Sequence, residues 1–450
     1  MPITPLVPKS APRHAAVLRP ISYLGSKLRS IDSILDVRNQ WSSKPIKVLD
    51  PFSGSSVVAQ AFAQNGDSVV CSDVMKMCCD IAMATIRGKK TLISSLQSLA
   101  EEVLAAPAVS GAEHLDIYVE NERGLITRGA GADLIAYSVT IPQIWRPFDA
   151  SPALRRIYSH LHALEGKRVD QPIPVVASYY GATYFGVFQA LEIDRIWQAI
   201  LMLGAQGTVE EWVIASLLTA LFSAASACTF TAGKHFAQPY IIGAERTNEY
   251  ALRRVLEDRR IDVAERFRQA VNAIICRVDN TGQKNKVLNC SLEDWTSEAV
   301  KKEKISLIYA DPPYTAQQYS RFYHILETLS HGRIPDLQVF RGGATRGIYP
   351  TNRFKSAFCS KRTAPASFER LLTLGADAGA SVLLSYSFSG ASTGNARMIE
   401  LEDIISLPIV KKSRMGIQIY RLPHQYRSFT STDCEKSDDW EGLILFNHNA

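Results

Sequence analysis

The chain has 450 residues, is 46% apolar and 21% charged, and carries a formal net charge of +6. That composition excludes a disordered chain, and the length suffices for two or three domains with sizeable cores. The mildly basic balance permits nucleic-acid binding without requiring it. Eight cysteines and nine histidines show no C-x-x-C pair and no metal-ligand spacing, so neither a metal site nor a disulfide framework is expected, and reduced thiols in a cytoplasm are the simplest reading.

Residues 1–20 combine Pro2, Pro5, Pro8, Pro12 and Pro20 with Lys9, Arg13 and Arg19. They lack the continuous apolar core of a signal peptide and read as a flexible basic arm. Tyr23-Leu24-Gly25-Ser26-Lys27 follows, ahead of a short amphipathic helix; alone it describes any surface turn. Val48-Leu49-Asp50 reads as a strand, Pro51-Phe52-Ser53-Gly54 as a tight turn, and the residues up to about Asn65-Gly66 as a helix. The next strand, from Ser68, ends on Asp73, roughly twenty residues past the turn, where doubly wound folds place a carboxylate on a ribose. A nucleoside cofactor is implied. Gly54 is the lone glycine of the turn, whereas a dinucleotide fingerprint needs G-x-G-x-x-G, so NAD and FAD are disfavoured. With no phosphate to cradle, S-adenosylmethionine fits better.

Residues 106–279 open with a Gly-rich portion (Gly124, Gly129, Gly131) expected to be irregular, and become helical from Leu191. Trp212 through Gly233 carries no charge and is long enough to cross a bilayer of ~30 Å. Six Ser and Thr hydroxyls interrupt it and no second such segment follows, so a buried helix and no membrane association are expected. Further strands are expected at Lys286–Cys290, Ile305–Ala310, Ser381–Tyr386 and Gly442–Phe446. Apolar runs separated by helical patterns indicate a mostly parallel sheet.

The strand at Ile305–Ala310 runs into Asp311-Pro312-Pro313-Tyr314, the most informative stretch of the chain. An exocyclic amino group of a nucleobase is a poor nucleophile because its lone pair is delocalised into the ring. A carboxylate (Asp311) and the Pro312 carbonyl can each accept one of its N–H bonds, biasing the nitrogen toward sp³ geometry. Pro312 and Pro313 stiffen the turn and point carbonyls outward, and Tyr314 offers a flat face to an extruded base. Taken alone, the tetrapeptide also describes a buried strand ending in a Pro-Pro turn; the Asp50–Gly54 turn and Asp73 are what decide. Beyond it, residues 337–368 contain no acidic side chain, while Arg341, Arg346, Arg353, Lys355, Lys361 and Arg362 accumulate beside Tyr349, Phe354 and Phe358. This segment is expected to contact the DNA backbone.

Three motifs occur in one order: YLGSK, LDPFSGSSVVAQAF and YADPPYTAQQYSRFYH. In this the chain resembles the Dam-like, alpha-group class of adenine-specific DNA methyltransferases. Softer resemblances lie at Tyr180–Phe185 with Gln189–Arg195, at Gly233–Ala237 and at Leu384–Ser387. The resemblance implies an α/β fold, a Rossmann-like S-adenosylmethionine-dependent methyltransferase sheet with an inserted, largely helical target-recognition region. The catalytic domain would comprise 21–105 and 280–450, the second part carrying the basic loop 337–368, and the insertion would be 106–279.

It further implies transfer of a methyl group from S-adenosylmethionine to the 6-amino nitrogen of an adenine flipped from double-stranded DNA. Asp311, Pro312, Pro313 and Tyr314 would be catalytic. Tyr23, Gly25, Lys27, Asp50, Pro51, Phe52, Ser53, Gly54 and Asp73 would hold the cofactor, and Arg341, Arg346, Arg353 and Lys355 would meet DNA. A restriction endonuclease of the same system is a partner that it allows. Methylation of the cytosine 4-amino group or of protein glutamine is disfavoured, because those families carry Ser or Asn where Asp311 stands. A DNA-binding module without catalysis, or a subunit needing a recognition partner, is the alternative from a different class.

Overall fold

The computed structural model describes residues 3–6, 17–147, 149–241, 249–278, 284–340, 343–388, 397–425 and 440–448. Ten strands are described: β1 (Ile3–Pro5), β2 (Lys47–Asp50), β3 (Ser68–Asp73), β4 (Lys286–Asn289), β5 (Leu307–Ala310), β6 (Val339–Phe340), β7 (Gly343–Ala344), β8 (Ser381–Phe388), β9 (Gly416–Gln425) and β10 (Trp440–Asn447). Eight form one sheet in the order β1-β9-β10-β8-β5-β2-β3-β4, while β6 and β7 pair separately as a hairpin. Within the large sheet only β10 runs antiparallel to its neighbours. The architecture is mixed α/β with a mostly parallel sheet.

The apolar runs become strands because both faces of the sheet are covered. Val48, Val69, Leu307, Tyr309, Leu383 and Leu443 point to one side, under α1 (Ile31–Trp41) and α2 (Val57–Gln64). Their alternates Leu49, Val70, Ile308, Val382, Leu384 and Ile444 point to the other, against the helix Ala364–Ala378. Strands β9 and β1 were not expected. The first carries Pro423 within it, which argues against a strand; the second is three residues of the segment read as a basic arm.

A helical body packs beside the sheet. It joins α3 (Lys76–Ile86) and α4 (Ile93–Leu104) to the helices Val187–Ala205, Glu211–Cys228, Val263–Ile275 and His324–His331. Glu211–Cys228 is long and apolar enough to cross a membrane, and it lies largely buried in this body. The Gly-rich portion differs from expectation, being helical from Asp116. Gly129, at φ +69°, follows the end of Asp116–Thr127, and Gly131 opens the next helix, where a Cβ would sit 2.6 Å from the Leu252 carbonyl. These glycines answer backbone approach and helix termination.

Candidate active site

The chain leaves β2 outward to β3 and β4, then returns to β5 on the opposite side of β2. Open parallel sheets bind ligands beyond the strand carboxyl ends at such a reversal of order. A cleft open to solvent lies there. It is lined by the turn after β2 (Asp50–Ser55), Asp73–Met75 after β3, Ser291–Glu293 after β4, Asp311 and Pro313 after β5, and Tyr23–Lys27.

The β2 turn is fixed from the next strand. Gly54, at φ +48°, donates its N–H to Asp73 Oδ2 at 3.0 Å, and Met75 N–H donates to Asp73 Oδ1 at 2.9 Å. Phe52 N–H donates to Asp50 Oδ1 at 3.2 Å. A Cβ on Gly54 would stand 2.8 Å from Tyr23 Cε1, so the close approach required here is to an aromatic ring. Asp73, read as the ribose partner, is buried and gives one oxygen to the β2 turn and the other to the backbone just after β3, while still lining the cleft.

The YLGSK segment is clamped by aromatic residues just past the Pro-Pro turn. Tyr23 stacks on Tyr323 with centroids 4.8 Å apart and planes 6° from parallel. Leu24 N–H donates to Tyr323 Oη at 2.7 Å, and that hydroxyl donates to the Ser22 carbonyl at 3.2 Å. Gly25, at φ +69°, would place a Cβ 2.8 Å from Tyr319 Oη. The clamp delivers Lys27, only 4% exposed, to Asp311 Oδ1 at 3.3 Å and Glu441 Oε1 at 3.4 Å.

Asp311 keeps 20% of its side chain exposed. Tyr314 is buried against Tyr386 (centroids 5.6 Å), with the Arg397 guanidinium 4.8 Å from its ring centre. A base can stack on Tyr314 only if these neighbours shift. Pro312 is buried and Pro313 half-buried.

The cleft floor is acidic. Burial pushes Asp50 up to about 8, with the charges of Asp311 and Asp73 adding to the effect and the Phe52 N–H opposing it. Burial likewise pushes Asp73 and Asp311 up to about 6, against the Met75 and Gly54 N–H groups in the first and Lys27 in the second. Burial works against the Lys27 ammonium, but Asp311 and Glu441 outweigh it and hold Lys27 above its ordinary value. A buried site with several carboxylates around one lysine suits a cationic ligand. Among the described residues no group of three or more His, Cys, Asp or Glu is placed to hold a metal.

The softer motif segments form scaffold. Asp194 accepts N–H bonds from Val176 at 2.8 Å and Ala177 at 2.9 Å, and Lys234 pairs with Asp258 at 2.7 Å. His324 is packed among Tyr180, Tyr184 and Tyr349, and burial pushes it down to about 3, so it is neutral. Within the basic segment Arg341 lies outside the described residues. Arg346 and Lys355 are exposed, whereas Arg353 lies 4.6 Å over the Tyr349 ring centre. The β6–β7 hairpin exposes Val339 and Phe340, and Phe354, Ser356 and Phe358 return to line the cleft. Glu441, Tyr319, Tyr323 and Phe358 belong to the site without having been expected as site residues. The DPPY-containing stretch did include both tyrosines, but nothing near Glu441 in the chain marks its role.

Comparison with known proteins bears on this arrangement. The chain is 27% identical over 169 residues to the type II methyltransferase M.FokI of Planomicrobium okeanokoites, covering 38% of this chain and 23% of that protein. It is 28% identical over 170 residues to the modification methylase StsI of Streptococcus sanguinis, covering 37% of this chain and 22% of that protein. The chain thus spans under a quarter of the length of either relative. The family model for D12 class N6 adenine-specific DNA methyltransferases matches residues 23–108 and 262–345, which carry Lys27, Asp50–Gly54, Asp73 and Asp311–Tyr314. Over these two stretches, brought together around one cleft, the chain is similar to the D12 class N6 adenine-specific DNA methyltransferases.

Proposed function

We propose that the protein transfers a methyl group from S-adenosylmethionine to the 6-amino nitrogen of adenine in double-stranded DNA, after flipping the base out of the helix. The observation that carries this reading is the meeting of Asp311, Lys27 and the Asp50–Gly54 turn in one acidic cleft where the strand order reverses. The sheet then serves as a Rossmann-like methyltransferase sheet and 106–279 as the target-recognition region.

The residues present fit the cofactor. Its ammonium and sulfonium match the excess of carboxylates, and Phe52, set edge-on to Phe358 at 5.4 Å, gives the cleft an aromatic wall. Tyr23, Gly25, Lys27, Asp50, Pro51, Phe52, Ser53, Gly54 and Asp73 would hold it. When bound, the cofactor supplies an electrophilic methyl group. Asp311 and the Pro312 carbonyl accept the two amino N–H bonds of adenine, localising the nitrogen lone pair. Flipping costs a few kcal/mol, offset by contacts to the emptied duplex, among which we count Arg341, Arg346, Arg353 and Lys355. The names of the relatives, a type II methyltransferase and a modification methylase, support a role in DNA modification; a restriction endonuclease as partner and a cytoplasmic location are part of this proposal.

The test is transfer of labelled methyl from S-adenosylmethionine to plasmid DNA, followed by nucleoside analysis. Label in N6-methyladenine is expected; label in N4-methylcytosine, or none, overturns the reading. Asp311→Ala should lower transfer at least ~10²-fold.

A further inference from the structure

We propose that Glu441 is a positioning residue: it shares Lys27 with Asp311 and so leaves Asp311 with negative charge to present to the cleft. The inference deepens the methyltransferase reading and rests on it.

The geometry comes from the one reversed strand of the large sheet. Because β10 runs antiparallel to β8, its first residues lie beside the carboxyl-terminal end of β8, with Glu441 opposite Ser387. In β8, Leu384 is level with Ala310, the last residue of β5, so Glu441 reaches the end of the sheet from which Asp311 projects. Lys27 Nζ stands between the two carboxylates, 3.3 Å from Asp311 and 3.4 Å from Glu441. Lys27 is 4% exposed and Glu441 11%, against 20% for Asp311.

One ammonium between two carboxylates leaves the trio with a net charge of −1. An isolated Lys27–Asp311 pair would be neutral, and its carboxylate would be held by the lysine alone. The surplus charge therefore resides in the most open member, Asp311, where a cationic ligand is favoured and amino N–H bonds can be accepted. The other groups around the trio are Tyr309 and Tyr314 near β5 and Asp50 after β2, with Arg397 on the Tyr314 ring. Asp73 completes the floor. Lys27 also acts on Tyr309 and stands 5.6 Å from the Tyr314 ring centre, so Glu441→Gln, which leaves that lysine in place, is the variant that reports most directly on the trio.

The test uses the full chain and calorimetry, without turnover. S-Adenosylmethionine and S-adenosylhomocysteine, which differ by the sulfonium charge, are titrated into wild type, Glu441→Gln and Lys27→Gln between pH 5 and 8.5. Glu441→Gln should narrow the preference for the cationic ligand by on the order of tenfold. It should also move the acidic fall-off in S-adenosylmethionine affinity to lower pH, because Lys27 then serves Asp311 alone. Lys27→Gln should move that fall-off to higher pH, since two buried carboxylates then face each other. Glu441→Asp should restore part of the preference, and thermal unfolding reports whether each variant is folded. Superimposable curves for wild type and folded Glu441→Gln, or a shift in the same direction for both Gln variants, overturn the inference while leaving the methyltransferase reading intact. If Glu441→Gln does not fold, Lys27→Gln and Glu441→Asp decide by the same two readouts. A wild type that binds neither ligand overturns both.

Discussion

Asp73 shows how much a residue's neighbours alter the meaning of its spacing. Its distance from the β2 turn suggests a ribose ligand, but in the fold it accepts the N–H groups of Gly54 and Met75. Asp73→Ala should therefore weaken S-adenosylmethionine binding by more than the ~1–2 kcal/mol of one lost contact, because two N–H groups lose their acceptor and the turn loosens; calorimetry and a lowered melting temperature check this. Gly54→Val should abolish binding while the circular dichroism of the fold persists, since a side chain meets both a positive φ and the Tyr23 ring. Protonation provides a further check. Burial raises Asp50 from 3.8 to about 8, so the ligand-free protein holds a proton there that the unfolded chain has released. That stabilisation is full below about pH 4 and is lost as pH rises through 8. A cationic ligand favours the ionised form, so binding near pH 7 should release protons. Calorimetry in buffers of different ionisation enthalpy will show a buffer-dependent heat, and identical heats in all buffers would refute it.

At the scale of elements, the basic segment divides into parts with different work. Arg353 lies over the Tyr349 ring, and that tyrosine donates its hydroxyl to the Ala237 carbonyl at 2.5 Å; Arg353 thus helps tie the segment to the helical body. Arg346 and Lys355 are exposed. Replacing those two by Ala should weaken binding to all DNA sequences about equally and flatten the slope of log K against log salt by roughly 0.9 per lost phosphate contact. Binding of S-adenosylmethionine should be unchanged. A relaxed recognition sequence with an intact salt slope would instead make this a base-reading segment. The YLGSK turn is the converse case, since Tyr319 and Tyr323 from beyond the Pro-Pro turn clamp it and make a weak local pattern into a wall of the site.

Over the whole molecule, the sheet and the helical body share α3, whose Met77, Cys78 and Ile81 face the helices while Ala82 and Ile86 face the sheet. Its first N–H groups, on Lys76 and Met77, donate to Glu327 at 2.9 and 3.0 Å, so the helix after the Pro-Pro turn caps the helix that follows β3. Trp197 is fully buried in the helical body and donates its Nε1–H to the Leu329 carbonyl at 2.8 Å. Trp197→Ala should cost about 3–5 kcal/mol in chemical denaturation. The sequence by itself determined six sheet strands, the two turns that line the cleft and the buried nature of Glu211–Cys228, because apolar runs, proline stiffness and a left-handed glycine are local properties. It did not reveal β9, whose Pro423 argues against a strand, or the helices around Gly124, where packing overrides propensity. Only the tertiary structure decided that Asp73 braces a turn, that Arg397 covers Tyr314, and that Glu441 meets Lys27 across 414 positions of chain. Charges that share one buried ammonium interact through space, and their proximity is set by the sheet order and by the direction of its last strand.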